Sequence, residues 1–489
     1  MQGLIGPLKE LAEFEELCKN KKKDVGMIRV CGCVNSQKSH MMYALGDGCK
    51  YKVIACSSET KAKQIYEEYR FLDSNTYLYP AKDFLFYQAD IRSKELVKQR
   101  MEGIQAVLSG EPVTVVTSLD GFMDHLAPKE SIAEKVLKIQ NDSVLKLDEM
   151  AEKLSVIGYD REVQVEGPGQ FAVRGGILDI YPLTEELPVR IELWGDEVDS
   201  IRTFDVESQR SIENLMDIVI YPAVEFPQNG EKGVSFLDYF PPEDTILFLD
   251  EPVRLVERGQ NIEDEFMEAQ KKRLESGYDL EEEEAKIFPV TEILKKINCY
   301  SSIGFYALGM KCKGLEVRES YEIQAKSVNP YNNSFEMLTQ DLKRLKRNGY
   351  RVILLSGSRT RAKRLAEDLR DYNLSSYYSE DLDREVKPGE IMTAYGYIAE
   401  GYEYPMLKFT VIAESDIFGK RKKKKKRKTY EGRKIQSFSE LKPGDYVVHE
   451  NHGVGVYQGI EKIVVDKISK DYMKMHRAEI FISRQRSWI

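Results

Sequence analysis

The stretch MIRVCGCVNSQKS, residues 27–39, joins an apolar segment to a loop typical of phosphate-binding proteins. Its first seven residues predict a short buried strand. The segment GCVNSQKS (32–39) then differs at one position from the Walker A pattern G-x-x-x-x-G-K-[ST], which cradles nucleotide phosphates. Gln37 stands where the second glycine belongs. The sequence therefore predicts a strand, a loop and a helix, with a loop that departs from the phosphate-binding pattern.

The missing glycine matters because Walker A loops bind phosphate through backbone N–H groups, and a glycine leaves no Cβ in their way. Gln37 places a bulky side chain at such a position, while Gly32, Lys38 and Ser39 keep the residue types of the pattern. Two interpretations follow: a variant loop that still binds nucleotide, or a turn that has lost this property. We predict the second, a degenerate nucleotide loop.

A second segment is typical of nucleotide-binding proteins. Asp250 and Glu251 follow the apolar residues Ile246–Leu249 and resemble a Walker B pair, in which the aspartate helps to hold Mg²⁺. Such pairs are common by chance, and Pro252 follows directly. We therefore predict two solvated acids at the end of a strand rather than a catalytic pair.

No Ser/His/Asp triad is recognisable in the sequence. The histidine pair His449-x-x-His452 is the only spacing that resembles a metal site, and it falls in a predicted β turn. We therefore predict neither a metal site nor a bound cofactor.

Composition limits the protein class. The 489 residues predict about three or four domains, and the net charge of −9 argues against a uniformly basic nucleic-acid binder. The seven cysteines show no repeated C-x-x-C spacing, so structural zinc and a disulfide framework are not expected. No stretch of about 18 apolar residues and no signal peptide are recognisable. The expected location is the cytoplasm.

The segments around the loop predict a parallel sheet. YKVIACSS (51–58) predicts a strand, residues 59–72 a helix, and VTVVTSLDGF (113–122) another strand. Strands that alternate with helices favour a parallel α/β arrangement.

The pattern changes near residue 155. QFAVRGGILDIYP (170–182) contains two apolar runs separated by two glycines, and residues 188–205 contain two more around a Gly195-Asp196 turn. Val198 and Ile201 are out of phase by one residue, which predicts a β-bulge between them. These runs predict an antiparallel meander, a domain distinct from the first.

The last third alternates again. Residues 334–372 predict a helix, a strand and a helix, and FTVIAESDIFG (409–419) another strand. Nine basic residues then fill Lys420–Lys428, which are either a solvated linker or a contact to DNA phosphates. Residues 441–466 alternate apolar and polar around several glycines, which predicts a small β-barrel.

Two of these segments resemble known proteins. Residues 169–211 resemble the second domain of the excision-repair protein UvrB and the matching domain of bacterial transcription-repair coupling factors. Residues 441–463, LKPGDYVVHENHGVGVYQGIEKI, resemble the RNA-polymerase-interacting module shared by coupling factors and CarD-type regulators. Only the coupling-factor family joins both in this order. The chain thus resembles the N-terminal portion of that family.

The resemblance implies a multidomain α/β fold. It consists of a UvrB-like, helicase-derived parallel-sheet domain with an inserted antiparallel α+β domain, a second α/β domain, and an incomplete Tudor/CarD-like β-barrel. The expected domains are 1–127 (UvrB-like domain 1a with the degenerate loop), 128–216 (UvrA-interaction-type domain 2), 217–328 (domain 1b), 329–419 (α/β linker domain), 420–437 (basic linker) and 438–489 (truncated polymerase-interacting domain).

The family also implies a function. A coupling factor recruits UvrA to stalled RNA polymerase, its UvrB-like module has lost nucleotide binding, and ATP is expected only in the motor domains that follow the polymerase module. This chain is therefore expected to be a non-catalytic adaptor. Two alternatives remain open: a UvrB-like, ATP-binding DNA helicase or repair enzyme, and a transcription regulator of CarD type.

Six residues carry the expected contacts. For UvrA they are Arg161, Arg174 and Tyr181, of which the last two are expected to flank the Gly-Gly hairpin. For the RNA polymerase β subunit they are Tyr457, Ile460 and Ile463, expected to form an apolar strand edge that could pair with a partner strand.

The end of the sequence departs from the family pattern. After DYMK (471–474) we expect an apolar strand and a segment that ends in QLD, but the chain reads MHRAEIFISRQRSWI. A permitted codon choice for residues 478–489, read in another frame, encodes both IYIP and QLD. The expectation is a frameshift near Met475 and a truncated polymerase module that is poorly folded or only partly competent.

Overall fold

The structure, a computed structural model, describes residues 2–21, 24–82, 94–227, 230–275, 287–419, 444, 446–449, 453–465, 468–476 and 480–484. None of the helices in these ranges combines the length and the apolar character needed to cross a membrane.

The first segment alternates helices and strands, as predicted. Its elements are α1 (Gln2–Ile5), α2 (Ala12–Asn20), β1 (Gly26–Cys31), α3 (Asn35–Leu45), β2 (Tyr51–Cys56), α4 (Glu59–Leu72), β3 (Thr76–Tyr79), α5 (Lys94–Leu108) and β4 (Val113–Ser118). The helix predicted at 59–72 is α4, and its N-cap Ser58 accepts a hydrogen bond from the Lys61 amide. Residues 119–122, predicted as part of a strand, form a 3-10 turn.

A largely antiparallel domain is inserted next. Its elements are α6 (Lys129–Glu134), β5 (Leu137–Gln140), α7 (Leu147–Val156), β6 (Asp160–Arg161), β7 (Gln170–Arg174), β8 (Ile177–Tyr181), β9 (Val189–Trp194), β10 (Glu197–Phe204), β11 (Ser211–Leu215) and β12 (Asp217–Ile220). The entry strand β5 pairs with the exit strand β12. The other strands form one sheet in the order β11-β10-β9-β8-β7-β6. The predicted bulge is confirmed by a register shift between Val198 and Ser200.

The chain then returns to the first sheet through β13 (Thr245–Asp250), α8 (Pro252–Glu275), α9 (Val290–Ile297), β14 (Ser301–Phe305) and β15 (Val317–Glu322). The completed seven-stranded sheet has the order β15-β1-β14-β13-β2-β4-β3, and all its pairings are parallel. Strands β13 and β14 enter between β1 and β2. This places Asp250 and Glu251 at the same edge of the sheet as the loop after β1.

A second α/β unit follows. It consists of β16 (Lys326–Ser327), α10 (Phe335–Arg347), β17 (Arg351–Ser356), α11 (Arg359–Asp371), β18 (Tyr377–Ser379), β19 (Ile391–Tyr395), β20 (Tyr402–Tyr404), β21 (Phe409–Ala413) and α12 (Glu414–Phe418). Its strand order is β16-β20-β21-β17-β19-β18. The strand predicted over 409–419 was wrong in its second half. The Asp416 carboxylate accepts a hydrogen bond from the Ala413 amide and thereby caps helix α12.

The C-terminal strands are β22 (Tyr446–His449), β23 (Gly453–Val465), β24 (Ile468–His476) and β25 (Ile480–Arg484). They form an antiparallel sheet in chain order. A Tudor-like barrel is not confirmed, since the described strands β22 and β25 do not pair with each other. The basic run Lys420–Lys428 lies outside the described residues, and the domain limits given above stay predictions.

The two α/β units share one apolar core. It contains Ile28 and Met41 from the first unit together with Ile353, Tyr402 and Phe409 from the second, and all five are buried. Helix α3, which follows the degenerate loop, is therefore enclosed between the two units. Residues of the second unit therefore contact the side chains of the candidate site.

Candidate functional site

The loop after β1 keeps its first glycine for a steric reason. Gly32 has a φ of +77°, and a Cβ on it would lie 2.3 Å from the carbonyl oxygen of Ile323. Any other residue would be strained there, and its Cβ would collide with the backbone of the neighbouring segment at Ile323. The loop therefore retains the strand-to-helix turn that its sequence predicts.

Gln37 closes the N-terminus of α3. Its side chain is fully buried, its Oε1 atom accepts a hydrogen bond from the Val34 amide at 3.2 Å, and its Nε2 atom donates to the Tyr404 hydroxyl at 3.0 Å. Backbone N–H groups at a helix N-terminus are the donors that bind phosphate oxygens in Walker A loops. Here one of these N–H groups, that of Val34, donates its hydrogen bond to the Gln37 amide oxygen instead.

The hydrogen-bond chain continues through His40. The His40 Nε2 atom lies 2.9 Å from the carbonyl oxygen of Leu4, so it carries the proton, and Nδ1 accepts from the Tyr404 hydroxyl at 3.1 Å. Burial of this ring lowers the pKa of His40 to about 4. The imidazole is therefore neutral at physiological pH and joins α1 to the second α/β unit.

Lys38 is held by both acids of the Walker B-like pair. Its ammonium lies 2.8 Å from Asp250 Oδ1 and 2.6 Å from Glu251 Oε1. Burial alone would lower the pKa of Lys38, but the two carboxylates outweigh it and raise that pKa above its ordinary value. The prediction of two solvated acids was wrong, since the Asp250 side chain is only 2% exposed.

The hydroxyl groups of the loop are also engaged within the protein. Ser36 Oγ and Ser39 Oγ donate to the buried Glu68 carboxylate at 2.7 and 2.5 Å. Glu68 also accepts hydrogen bonds from Gln64 Nε2 and from the amide of Ala399 in the second α/β unit. The serine that would contact Mg²⁺ in a Walker A loop thus contacts a carboxylate of its own fold.

A cleft of about 470 Å³ lies beside this arrangement, lined by Lys38, Asp250, Glu251, Arg254 and the N-terminus of α4. Within the described ranges, no group of three or more histidine, cysteine or acidic side chains could hold a metal ion. Both carboxylates in the cleft contact Lys38, so binding of Mg²⁺ there would have to displace its ammonium. The arrangement favours a structural ion pair over nucleotide chemistry.

The residues predicted to bind UvrA lie on the inserted sheet. Arg174 directly precedes the Gly175-Gly176 turn, and its Nη2 atom donates to Asp179 Oδ2 at 2.5 Å. Arg190 donates to the same carboxylate through Nε at 2.7 Å. Asp179 is fully buried beneath these two arginines, while the Arg174 side chain remains 43% exposed.

Strand register divides the residues between the two faces of this sheet. Arg174 and Tyr181 share the outward face, because the register partners of β7 and β8 alternate from Gln170↔Tyr181 to Arg174↔Ile177. Tyr181, however, lies at the opposite end of β8, so only Arg174 flanks the glycine turn. Arg161 is the register partner of core residue Phe171, at the sheet edge.

Sequence reasoning missed Asp179 and Arg190. The signal was available, since positions 174 and 179 fall on the same face once the two-residue Gly175-Gly176 turn is recognised. Asp179 also pairs in register with Arg190 on β9. Alternation across the hairpin would therefore have found the buried carboxylate.

The predicted polymerase contacts lie on β23. Strand β22 pairs only with Gly453–Val456, whereas the opposite edge of β23 pairs with β24 as far as Val465. The Tyr457 carbonyl oxygen accepts a hydrogen bond from the Gly444 amide. Among the described residues, the edge of β23 beyond Tyr457 on the β22 side has no strand partner, and Ile460 and Ile463 fall in this stretch. Tyr457 is only 5% exposed, which agrees with a packed position.

Comparison with known proteins matches two segments to families. Residues 137–226 match the UvrB interaction domain, and residues 441–481 match the CarD-like/TRCF RID domain.

Curated relatives extend the match over nearly the whole chain. The transcription-repair-coupling factor of Bacillus subtilis is 28% identical over 96% of this chain and 45% of its own length. That of Staphylococcus haemolyticus is 26% identical over 82% of this chain and 39% of its own length. The chain thus spans less than half the length of these relatives. The resemblance to the coupling-factor family is confirmed.

Among solved structures, a hypothetical ATP-dependent RNA helicase from Sulfolobus tokodaii shows 10% identity and a TM-score of 0.23. The alignment covers 81% of this chain and 82% of that protein.

Proposed function

We propose that this chain, a homologue of part of the transcription-repair-coupling factors, is a non-catalytic adaptor that brings UvrA to stalled RNA polymerase. One observation carries the proposal. A UvrB interaction domain and a CarD-like/TRCF RID domain occur in one chain, within an alignment to coupling factors that covers 96% of its length. In a UvrB-like enzyme the CarD-like/TRCF RID domain would be unexplained. In a CarD-type regulator the UvrB interaction domain would be unexplained.

The non-catalytic character is supported by the closed loop. ATP would have to displace the Gln37 amide from the start of α3 and withdraw Lys38 from Asp250 and Glu251. Each step breaks a buried polar contact, which costs free energy unless it is replaced in full. We therefore propose that the chain binds no nucleotide and that ATP acts in another part of the coupling factor.

Isothermal titration with Mg-ATP tests this point. We expect no saturable heat from the native chain, nor from Gln37→Gly, because the glycine leaves the Lys38 contacts in place. Saturable binding by the native chain would contradict the proposal and revive the ATP-dependent enzyme.

Capture of purified UvrA by the immobilised chain tests the adaptor role. We expect the native chain to retain UvrA and the double variant Arg174→Ala, Tyr181→Ala to lose it, because arginine and tyrosine side chains dominate many interfaces. The matched control is Arg364→Ala, Tyr372→Ala, which removes the same side-chain types from exposed positions in the second α/β unit. Failure of the native chain to retain UvrA would overturn the proposal.

Contact with the polymerase β subunit is proposed through the edge of β23 beyond Tyr457, which has no strand partner in the part of the chain that the structure describes. A partner strand added there would form main-chain hydrogen bonds, as in other cases of β-augmentation. Biolayer interferometry with the isolated β subunit should detect weak binding that Ile460→Pro abolishes, since proline removes a backbone donor. Equal binding by this variant would exclude this edge.

A further inference from the structure

Trp194 is the largest of the exposed apolar residues of the inserted domain. Its side chain is 85% exposed, although tryptophan is the largest apolar residue. A single exposed apolar residue is ordinary in soluble proteins. Its surroundings therefore decide whether this position has a role.

The backbone places Trp194 at the tip of a hairpin. It pairs with Glu197 across the two-residue turn Gly195-Asp196, in which Gly195 has a φ of +65°. Tryptophan at this position gains nothing from the core. The apolar residues that do reach the core are its neighbour Leu193 and the register partner of Leu193, Val198.

Two other loops meet this tip. The Leu193 amide donates to the carbonyl oxygen of Gly176 at 2.8 Å, which joins the tip to the turn that follows Arg174. The Leu145 amide donates to the carbonyl oxygen of Asp196 at 2.7 Å, and Val144 bridges to Glu197. Three loops are thus tied together by main-chain hydrogen bonds.

Strand register sets the direction of the side chains. Arg174 pairs with Ile177, Ile177 pairs with Glu192, and Trp194 lies two residues beyond Glu192 on the same strand. Paired residues share a face, and residues two apart on a strand share a face. Arg174 and Trp194 therefore both belong to the outward face, which also includes Tyr181.

The third loop adds a second exposed apolar side chain. Val144 is 78% exposed and is bridged to Glu197, the register partner of Trp194. Val144, Trp194 and Arg174 thus lie on one face of the sheet, spread from the loop beside β10 across β9 to β7, and Asp179 holds Arg174 in place. We call Val144, Arg174 and Trp194 the hairpin-tip surface.

We propose that the hairpin-tip surface is the anchor for UvrA, with Trp194 as its central apolar contact. This inference rests on the proposed function and adds Trp194 to the residues predicted to contact UvrA. The surface continues the face that carries Arg174 and Tyr181. Tryptophan, tyrosine and arginine are the residues enriched at the energetic centres of interfaces. The expected site on UvrA is an apolar pocket with a carboxylate at its rim, facing Arg174.

Affinity measurements with UvrA test the proposal. We expect Trp194→Ala to weaken binding about 30-fold, the loss typical of a dominant interface side chain, and Trp194→Phe to retain most of the affinity. The control Met406→Ala removes a 73% exposed apolar side chain from the second α/β unit and should change nothing. Thermal unfolding of the Trp194 variants should match the native chain because this side chain is outside the core.

A spectroscopic experiment reports on Trp194 directly. The chain has two tryptophans, Trp194 and Trp488, so Trp488→Phe leaves one. With 5-fluorotryptophan incorporated, its ¹⁹F resonance should show a solvent isotope shift between H₂O and D₂O. We expect unlabelled UvrA at saturation to abolish this shift. A persistent shift, or full affinity of Trp194→Ala, overturns the inference while UvrA binding itself survives.

Two further outcomes separate the proposals. No binding of UvrA to the native chain removes the proposed function and this inference together. A concentration-dependent dimer that Trp194→Ala abolishes, seen by sedimentation, would assign the surface to a second copy of this chain and would also overturn the inference.

Discussion

The loop before α3 and the outward face of the inserted sheet each pair a basic side chain with a buried carboxylate. They differ in how far that basic side chain is exposed to solvent. Lys38 contacts Asp250, and Arg174 contacts Asp179; both carboxylate side chains are 2% exposed or less. The Lys38 side chain is 4% exposed, whereas that of Arg174 is 43% exposed. The Lys38 ion pair is enclosed within the protein, whereas the Arg174 side chain at the second site remains accessible to solvent.

The two sites also differ in how many of their polar side chains are paired within the chain. Each polar group of the degenerate loop that would meet a nucleotide finds a partner in its own chain: Gln37 at Tyr404, Lys38 at Asp250, and Ser39 at Glu68. On the inserted sheet, one carboxylate orients two arginines and leaves one of them accessible. The open face, rather than the motif, is the better candidate for recognition.

The largest expected effect comes from removal of the Lys38 ammonium. Lys38→Met leaves Asp250 and part of Glu251 as buried charges without a cation, which destabilises a protein by about 3–5 kcal/mol. Hydrogen exchange of the amides in α3 and β13 should accelerate accordingly. The double variant Lys38→Met, Asp250→Asn should recover much of the loss, because it removes a buried charge together with its partner. Unchanged exchange in Lys38→Met would show that water already reaches these carboxylates.

The second prediction concerns acid sensitivity of the closed site. The pKa of His40 is about 4 in the folded chain and about 6.5 in an unfolded one, so between these pH values the unfolded state binds more protons. The contribution is fully present above pH 6.5 and is lost progressively as the pH falls toward 4, by about 3 kcal/mol in total. Unfolding measured from pH 7 to 4 should show this loss. His40→Gln should flatten the profile; an equal slope in both proteins would assign the loss to other groups.

A smaller effect is expected at the open face. Asp179→Ala removes the acceptor that orients Arg174 and Arg190 and should cost the inserted domain about 2 kcal/mol, because hydrogen bonds to charged groups contribute about 1.5–3 kcal/mol. Water replaces the lost contact at Arg174 more easily than at Arg190, whose side chain is 14% exposed. Thermal unfolding measures the cost, with the exposed Asp199→Ala as the matched control. Equal melting of both variants would contradict an orienting role for Asp179.

The smallest expected effect separates the contribution of the Tyr181 hydroxyl to stability and UvrA affinity from that of its ring. The hydroxyl donates to the carbonyl oxygen of Glu186 at 2.7 Å in an exposed position. Tyr181→Phe should therefore change stability by less than about 0.5 kcal/mol, because water can replace the contact. UvrA affinity should also be kept if the ring makes the contact. A loss of affinity as large as that of Tyr181→Ala would assign recognition to the hydroxyl.

Local features of the fold were accessible from the sequence. Helix 59–72, the Gly175-Gly176 and Gly195-Asp196 turns, and the bulge after Val198 were predicted correctly, because periodicity and turn residues act within a few positions. That Gln37 makes the loop a degenerate nucleotide site stays a prediction. The predictions were wrong where residues distant in sequence determine the environment of a side chain, as for the burial of Asp250.

By itself, then, the sequence determined the alternation of strands and helices, the inserted meander, the family resemblance and the departure of the loop from the Walker A pattern. Only the tertiary structure decided which partners the polar side chains of this loop and helix take, since Asp250 lies 212 residues from Lys38 and Tyr404 lies 364 residues from His40. It also decided that Trp194 and Arg174 share one face. The physical reason is that local pattern fixes backbone conformation, whereas burial and ion pairing depend on which distant surface covers a side chain.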